Sequence, residues 1–159
     1  MASLVENKKI FLNYEIIESY EAGIELLGLE VKSIRAHHGS LLGAHVLIRG
    51  GEAYLVNATI PAYQENNTPT SYNPDRNRRL LLRKADIAKI VAESEKKGSG
   101  GKGKGLTIVP VSMYSKDGKK PGGLIKVQIA IVKGKKKFDK RASLKKREVD
   151  REISRKYAL

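Results

Sequence analysis

Up to Val132 the chain reads as a series of short extended runs, most of them broken by glycine or proline, and this pattern limits the fold more than any other feature. Tyr14 to Tyr20 is a β-rich run that meets the turn signal Glu21-Ala22-Gly23. Ile24-Glu25-Leu26 alternates apolar and polar, Leu27-Gly28 interrupts the alternation, and Leu29 to Arg35 resumes it. Glycine at such a break predicts a bulge or a bent strand, as the corners of small barrels require. Val46 to Arg49 and Glu52 to Val56 flank Gly50-Gly51, which predicts a hairpin, and Ala58-Thr59-Ile60 extends its second strand as far as Pro61. Residues 66–75 are polar, contain Pro69 and Pro74, and read as an exposed loop. Two later runs, Leu106 to Met113 and Leu124 to Val132, are joined by a Gly/Lys-rich turn from Ser115 to Gly123. About six strands with short connections predict a mainly β fold, an OB-like six-stranded antiparallel barrel with a few helices.

One body segment has a helical period: from Leu80 to about Glu95, Leu80, Leu81, Ile87, Ile90 and Val91 recur at spacings of three, four and seven. Arg76, Arg78, Arg79, Arg83 and Lys84 lie before and along its first turns. Cations disfavour a helix N-terminus, so their clustering there points to phosphate. After Val132 the texture changes. Phe138, Leu144, Val149, Ile153 and Tyr157 are sparse, and only the last three share a helical stripe. A segment of this composition cannot bury its own face. The expected organisation is a body over residues 1–132 and a flexible basic tail over 133–159, disordered when free and helical on a partner.

Charge divides along the same lines. Thirty-one Lys and Arg against seventeen Asp and Glu leave a net charge of +14. Residues 1–65 carry five basic and eight acidic side chains, residues 66–132 fourteen and five, and residues 133–159 twelve and four. An acidic scaffold with two basic surfaces suits a polyanionic partner, nucleic acid before an acidic membrane. With no Trp and nine Phe and Tyr in 159 residues, broad base-stacking platforms have little material. The chain has no cysteine, which removes disulfides, thiolate zinc sites and thiol nucleophiles. No apolar run approaches the roughly 18–20 residues that span a bilayer, and no signal-peptide core is present, so a cytoplasmic protein without a membrane partner is expected.

Enzymatic motifs dissolve on inspection. Gly98-Ser99-Gly100-Gly101-Lys102-Gly103 spells G-x-G-x-x-G, but a helix precedes it and a strand follows, the reverse of a phosphate cradle, and Gly105 stands where a magnesium-ligating hydroxyl would be needed. It reads as a Gly/Lys linker. His37, His38 and His45 have no spaced carboxylate or thiol partners and read as surface turn residues rather than a metal site. Glu21 and Glu30 are expected to be solvent-facing carboxylates on strands, with a structural or RNA-contact role as the alternative. No catalytic residue, metal or cofactor is assigned.

Several segments together resemble the SmpB family, the SsrA-binding proteins of bacterial ribosome rescue. They are Glu21 to Ile24, Glu30 to Arg35, Asn73 to Leu82, Leu106 to Val111 and Gly134 to Arg141, in the family's order across nearly the whole chain. The resemblance implies an OB-like barrel with a basic tail and a binding function without catalysis. Its partners would be the tRNA-like domain of tmRNA and the ribosome, whose empty decoding site and mRNA channel the tail would enter as a helix; a monomer is expected. A structural ribosomal protein with a basic extension is the alternative.

Position by position, the resemblance implies Asn7, Glu21 and Leu81 as tmRNA-binding residues. Leu81 either contacts a base or holds the helix on the barrel. Lys32, Arg35, Arg76, Arg78, Arg79, Arg83 and Lys84 are phosphate-contact candidates from charge alone. In the tail, Gly134, Lys135, Lys136, Phe138, Asp139, Lys140 and Arg141 match the decoding-site motif. Asp139-Lys140-Arg141 would anchor to ribosomal RNA, and Phe138 stands where the family usually has His or Tyr, keeping a stacking surface without a polar edge. Ser99 to Gly105 is extra length relative to the family's usual short turn.

Overall fold

The computed structural model describes residues 3–64, 66, 68–95, 106–116, 123–134, 145, 147–149 and 151. Two 11-residue strands, β6 (Leu106–Lys116) and β7 (Leu124–Gly134), form the central antiparallel ladder, and β2 (Tyr14–Ile24) pairs with β7 along its length. β1 (Ser3–Glu6), β3 (His45–Arg49), β4 (Glu52–Val56) and β5 (Arg78–Leu81) complete a seven-stranded antiparallel sheet in the order β1-β6-β7-β2-β5-β4-β3. The sheet curls until β3 lies against β6, but no strand pairing closes it among the described residues. The architecture is therefore mainly β, as expected, with one strand more than expected and an open seam. β3 and β4 meet in full register around Gly50 (φ 60°) and Gly51 (φ 77°), a turn in which both central residues sit in the left-handed region.

Three local expectations are corrected. The Glu21-Ala22-Gly23 signal is no turn; β2 runs straight through it. Gly23 serves close packing, because a Cβ there would lie 3.1 Å from the Leu81 Cβ on β5 and 3.6 Å from Lys126 Nζ. Leu29 to Arg35 is no strand but part of α2 (Gly28–Arg35). Its buried residues Glu30, Ser33 and Ile34 follow the i, i+3, i+4 period, and the Glu30 carboxylate accepts the Leu27 N–H at 2.7 Å at the helix start. The expected helix from Leu80 begins later, as α3 (Lys84–Glu95), with Asp86 in its first turn and Ile90 buried. Arg78, Arg79, Leu80 and Leu81 alternate buried and exposed, which is strand periodicity. Arg76, Arg78 and Arg79 are thus not at a helix N-terminus, whereas Arg83 and Lys84 do stand at the start of α3. A short helix, α1 (Ile10–Asn13), follows β1.

The core lies inside the curl. Ile34, Leu41, Leu55, Ile60, Leu80, Ile90, Met113, Val127, Ile129 and Ile131 are all at most 2% exposed. Each such side chain contributes about 1.5–3 kcal/mol by leaving water. A second cluster, Ile10, Val109, Val111, Ala130 and Val132, lies on the other face of β6 and β7, with Ile10 of α1 among its members. Alternation along β6 and β7 feeds both clusters, and a bulge between Pro110 and Ser112 shifts the phase of β6 so that Met113 joins Ile108 on the inner face. A second bulge, between Ile16 and Glu18 on β2, explains why Ile17 is 47% exposed.

Ala58 to Ile60 add only one isolated bridge, Ser40 to Thr59, rather than a longer strand. The sheet continues to Gly134, so Lys133 and Gly134 belong to β7 rather than to the expected tail. Among residues 135–159 only Lys145, Arg147, Glu148, Val149 and Arg151 are described, all helical. The expectations for Lys135, Lys136, Phe138, Asp139, Lys140, Arg141 and the 99–105 segment fall outside the described residues. Among the described residues no helix is long and apolar enough to cross a membrane.

Candidate nucleic-acid interface

Glu30 is fully buried, against the expectation of a solvent-facing strand carboxylate. Its Oε1 accepts from Leu27 N at 2.7 Å and Arg76 Nη2 at 2.5 Å; its Oε2 accepts from Arg78 Nε at 2.7 Å, Arg76 Nε at 3.1 Å and the Tyr72 hydroxyl at 3.1 Å. Burial pushes this carboxyl's pKa up, but the Arg76 hydrogen bonds, the Leu27 N–H and Arg78 outweigh it and hold the group below its ordinary value. Arg78 is fully buried as well. Its remaining N–H groups go to Ala58 O at 2.9 Å, Arg76 O at 3.0 Å, Pro74 O at 2.8 Å and the Tyr72 hydroxyl at 3.3 Å. All five guanidinium donors are therefore used inside the protein. The phosphate expectation for Arg78 is corrected: it ties α2, β5 and the long 57–77 connection together and has no exposed atom. Arg76 is 30% exposed but spends its charge on the same carboxylate.

The remaining candidates fall into three groups. Arg79 points outward from β5 and is paired with both Glu25 at 3.2 Å and Glu52 at 2.8 Å, so its charge is offset locally. Lys32 is exposed on α2, and Arg35 donates to Gly123 O at 3.1 Å beside the β6–β7 connection. Arg83 and Lys84 are exposed at the start of α3. With Leu81, Ile87 and the Gly50-Gly51 turn they line an open groove of about 720 Å³.

Glu21 and Leu81, separate in sequence, lie along one face of the sheet, and Asn7 follows the end of β1 at its margin. Strand alternation sends Ala22 inward and Glu21 outward. Glu21 stands opposite Gln128, which neighbours Ser112, and Ser112 stands opposite Glu6, next to Asn7. Asn7, Ser112 and Gln128 line one shallow cavity of about 420 Å³, which Arg147 also borders. One row along, Leu81 stands opposite Gly23, Gly23 opposite Lys126, and Lys126 opposite Tyr114. Leu81 is 48% exposed and lies outside the buried core, lining the groove together with Ile87 of α3. Asn7 has a second job. Its backbone N–H donates to Val111 O at 2.9 Å, and its side-chain amide donates to Pro110 O at 3.1 Å and Leu41 O at 3.3 Å, clamping the β6 bulge.

Glu21 is held by two neighbours that the sequence reading did not single out. Tyr114 donates its hydroxyl to Oε2 at 2.5 Å, and Lys116 Nζ reaches Oε1 at 2.8 Å. These bonds, Lys116 first, lower the carboxyl's pKa, while burial and the carboxylate raise that of the Tyr114 hydroxyl. The signal for this face was present as alternation, with Lys126 and Gln128 between Ile125, Val127 and Ile129. His37, His38 and His45 assemble nothing, and no cluster that could hold a metal exists among the described residues.

A polar sheet face carrying Lys116 and Lys126 thus lies beside a groove with an exposed leucine. Residues 4–158 match the family model described as SmpB protein. The SsrA-binding protein of Thermosipho africanus is 42% identical over 154 residues, covering 97% of this chain and 95% of the relative. That of Lactobacillus delbrueckii subsp. bulgaricus is 42% identical over 156 residues, covering 98% and 94%. A chain of the solved structure "tmRNA-SmpB: a journey to the center of the bacterial ribosome" superposes with a TM-score of 0.64 at 34% identity, over 87% of this chain and 92% of that one. The chain belongs to the SmpB family.

Proposed function

We propose that this protein is the tmRNA-binding factor of trans-translation: it holds the tRNA-like domain of tmRNA, carries it to the A site of stalled ribosomes, and acts by binding rather than catalysis. The observation that supports this reading is the outer face shared by Glu21 and Leu81, with Lys116 and Lys126 beside them and Asn7 at the margin, bordering the cavity that Ser112 and Gln128 line. Lys126 would neutralise RNA phosphate, the Glu21 carboxylate would accept from a 2′-OH or a base amino group, and Leu81 would pack against a base. The basic tail, with Lys135, Lys136, Phe138, Asp139, Lys140 and Arg141, would occupy the empty decoding site and mRNA channel, Phe138 stacking on a base.

The test is truncation after Gly134, which leaves β7 whole. The shortened protein should bind a full-length tmRNA transcript within about threefold of the intact protein's affinity, a factor worth about 0.65 kcal/mol. It should fail to support tagging in a reconstituted translation reaction. Loss of tmRNA binding, or retained tagging, would refute the division between body and tail.

A further inference from the structure

An exposed carboxylate on a surface meant for RNA is an electrostatic liability, since it repels phosphate. Glu21 is 38% exposed on its side chain, and both of its oxygens are engaged from a strand that is not its neighbour. Tyr114 and Lys116 lie on β6, with β7 between them and Glu21 on β2, so their side chains reach across β7. Tyr114 arrives from the side of Lys126, its cross-strand partner, and Lys116 from one turn of the ladder further out. Each bond occupies one oxygen, and a carboxylate offers about four acceptor positions, so acceptor capacity remains on the outward side. The pair fixes the carboxylate's orientation, and Lys116 offsets its charge.

We propose that Tyr114 and Lys116 are positioning residues for RNA recognition, orienting the Glu21 carboxylate as a fixed acceptor for a hydroxyl or amino donor of the bound RNA. The inference deepens the RNA-binding reading and rests on it. Orientation has value here because a free glutamate would sample several rotamers and would have to be ordered by the ligand, weakening binding by the cost of that ordering.

The discriminating experiment is a double-mutant cycle with the full-length chain and a full-length tmRNA transcript. Tyr114→Phe keeps the ring and removes only the hydroxyl. It should weaken binding by about fivefold to tenfold, the scale of one ordinary hydrogen bond, while leaving the salt slope unchanged. In a Glu21→Ala background the same substitution should change the dissociation constant by less than about twofold, because the group it orients is gone. Lys116→Met should behave likewise. Equal losses in both backgrounds, or no loss in the wild-type background, would overturn the positioning role. A drop of about one in the salt slope for Lys116→Met would reassign that lysine to direct phosphate contact. If Glu21→Ala alone binds tmRNA as tightly as the wild type, the assignment of Glu21 to the RNA face fails instead.

Discussion

Glu30→Gln isolates the buried ion-pair cluster with little change of volume. The variant leaves Arg78 fully buried with its charge uncompensated, because a neutral amide replaces the carboxylate that accepted from Arg76, Arg78 and Tyr72. Breaking a buried pair from one side costs about 3–5 kcal/mol. A domain of this size has about 5–15 kcal/mol in all, so a large share of its stability would go. With a urea slope of about 2 kcal/mol per molar, the midpoint should fall by about 2 M. Glu30→Leu combined with Arg78→Met removes both charges. Such a replacement should cost clearly less than the sum of the two single changes, although the carbonyls of Ala58, Pro74 and Arg76 lose their donor. Equilibrium urea unfolding followed by circular dichroism measures the wild type, Glu30→Gln, the two single changes and the double variant. A midpoint shift under about 0.5 M for Glu30→Gln, or strict additivity in the double variant, would refute the claim that this cluster acts as one buried unit.

Because the Glu30 carboxyl sits below its ordinary pKa in the folded state, its contribution is fully present above the unfolded value of about 4.3 and is lost as pH falls through the lower folded value. A stability–pH titration should therefore show an acid limb in the wild type that is shallower in Glu30→Gln. Gly123 has φ 75°, and a Cβ there would lie 2.5 Å from Lys116 O, so Gly123→Ala should destabilise by about 1–3 kcal/mol, read as a lower thermal midpoint. Reversing the exposed charges Arg83 and Lys84 to Glu should weaken tmRNA binding and lower its salt slope by about one per lost phosphate contact, measured by titration at several salt concentrations.

Much of the architecture was legible because it rests on local rules. The β3–β4 hairpin follows from Gly50-Gly51, where only glycine occupies two left-handed positions without strain. β6 and β7 follow from long apolar runs, and the family assignment follows from five motifs in order. Errors arose where a local signal had two readings. Leu29 to Arg35 satisfies both a two-residue and a 3.6-residue period over its short length, and the Glu30 carboxylate capping Leu27 N selects the helix. Leu80 and Leu81 continue a helical stripe on paper, yet pairing with β2 and β4 holds them in a strand.

The strand-rich body, the glycine hairpin and the placement of positive charge in the later part of the chain can be read from the residues alone, because periodicity, turn chemistry and charge are properties of neighbours. Which charges meet solvent depends on the folded arrangement. Arg78 and Arg83 look alike in sequence, but one is enclosed around Glu30 while the other is exposed beside the Leu81 groove. The same holds for the two glutamates: Glu30 is sealed beneath Arg76 and Arg78, and Glu21 is held open by Tyr114 and Lys116. Burial and pairing depend on residues tens of positions away, brought together only when the sheet curls and β2, β5, β6 and β7 fall into register.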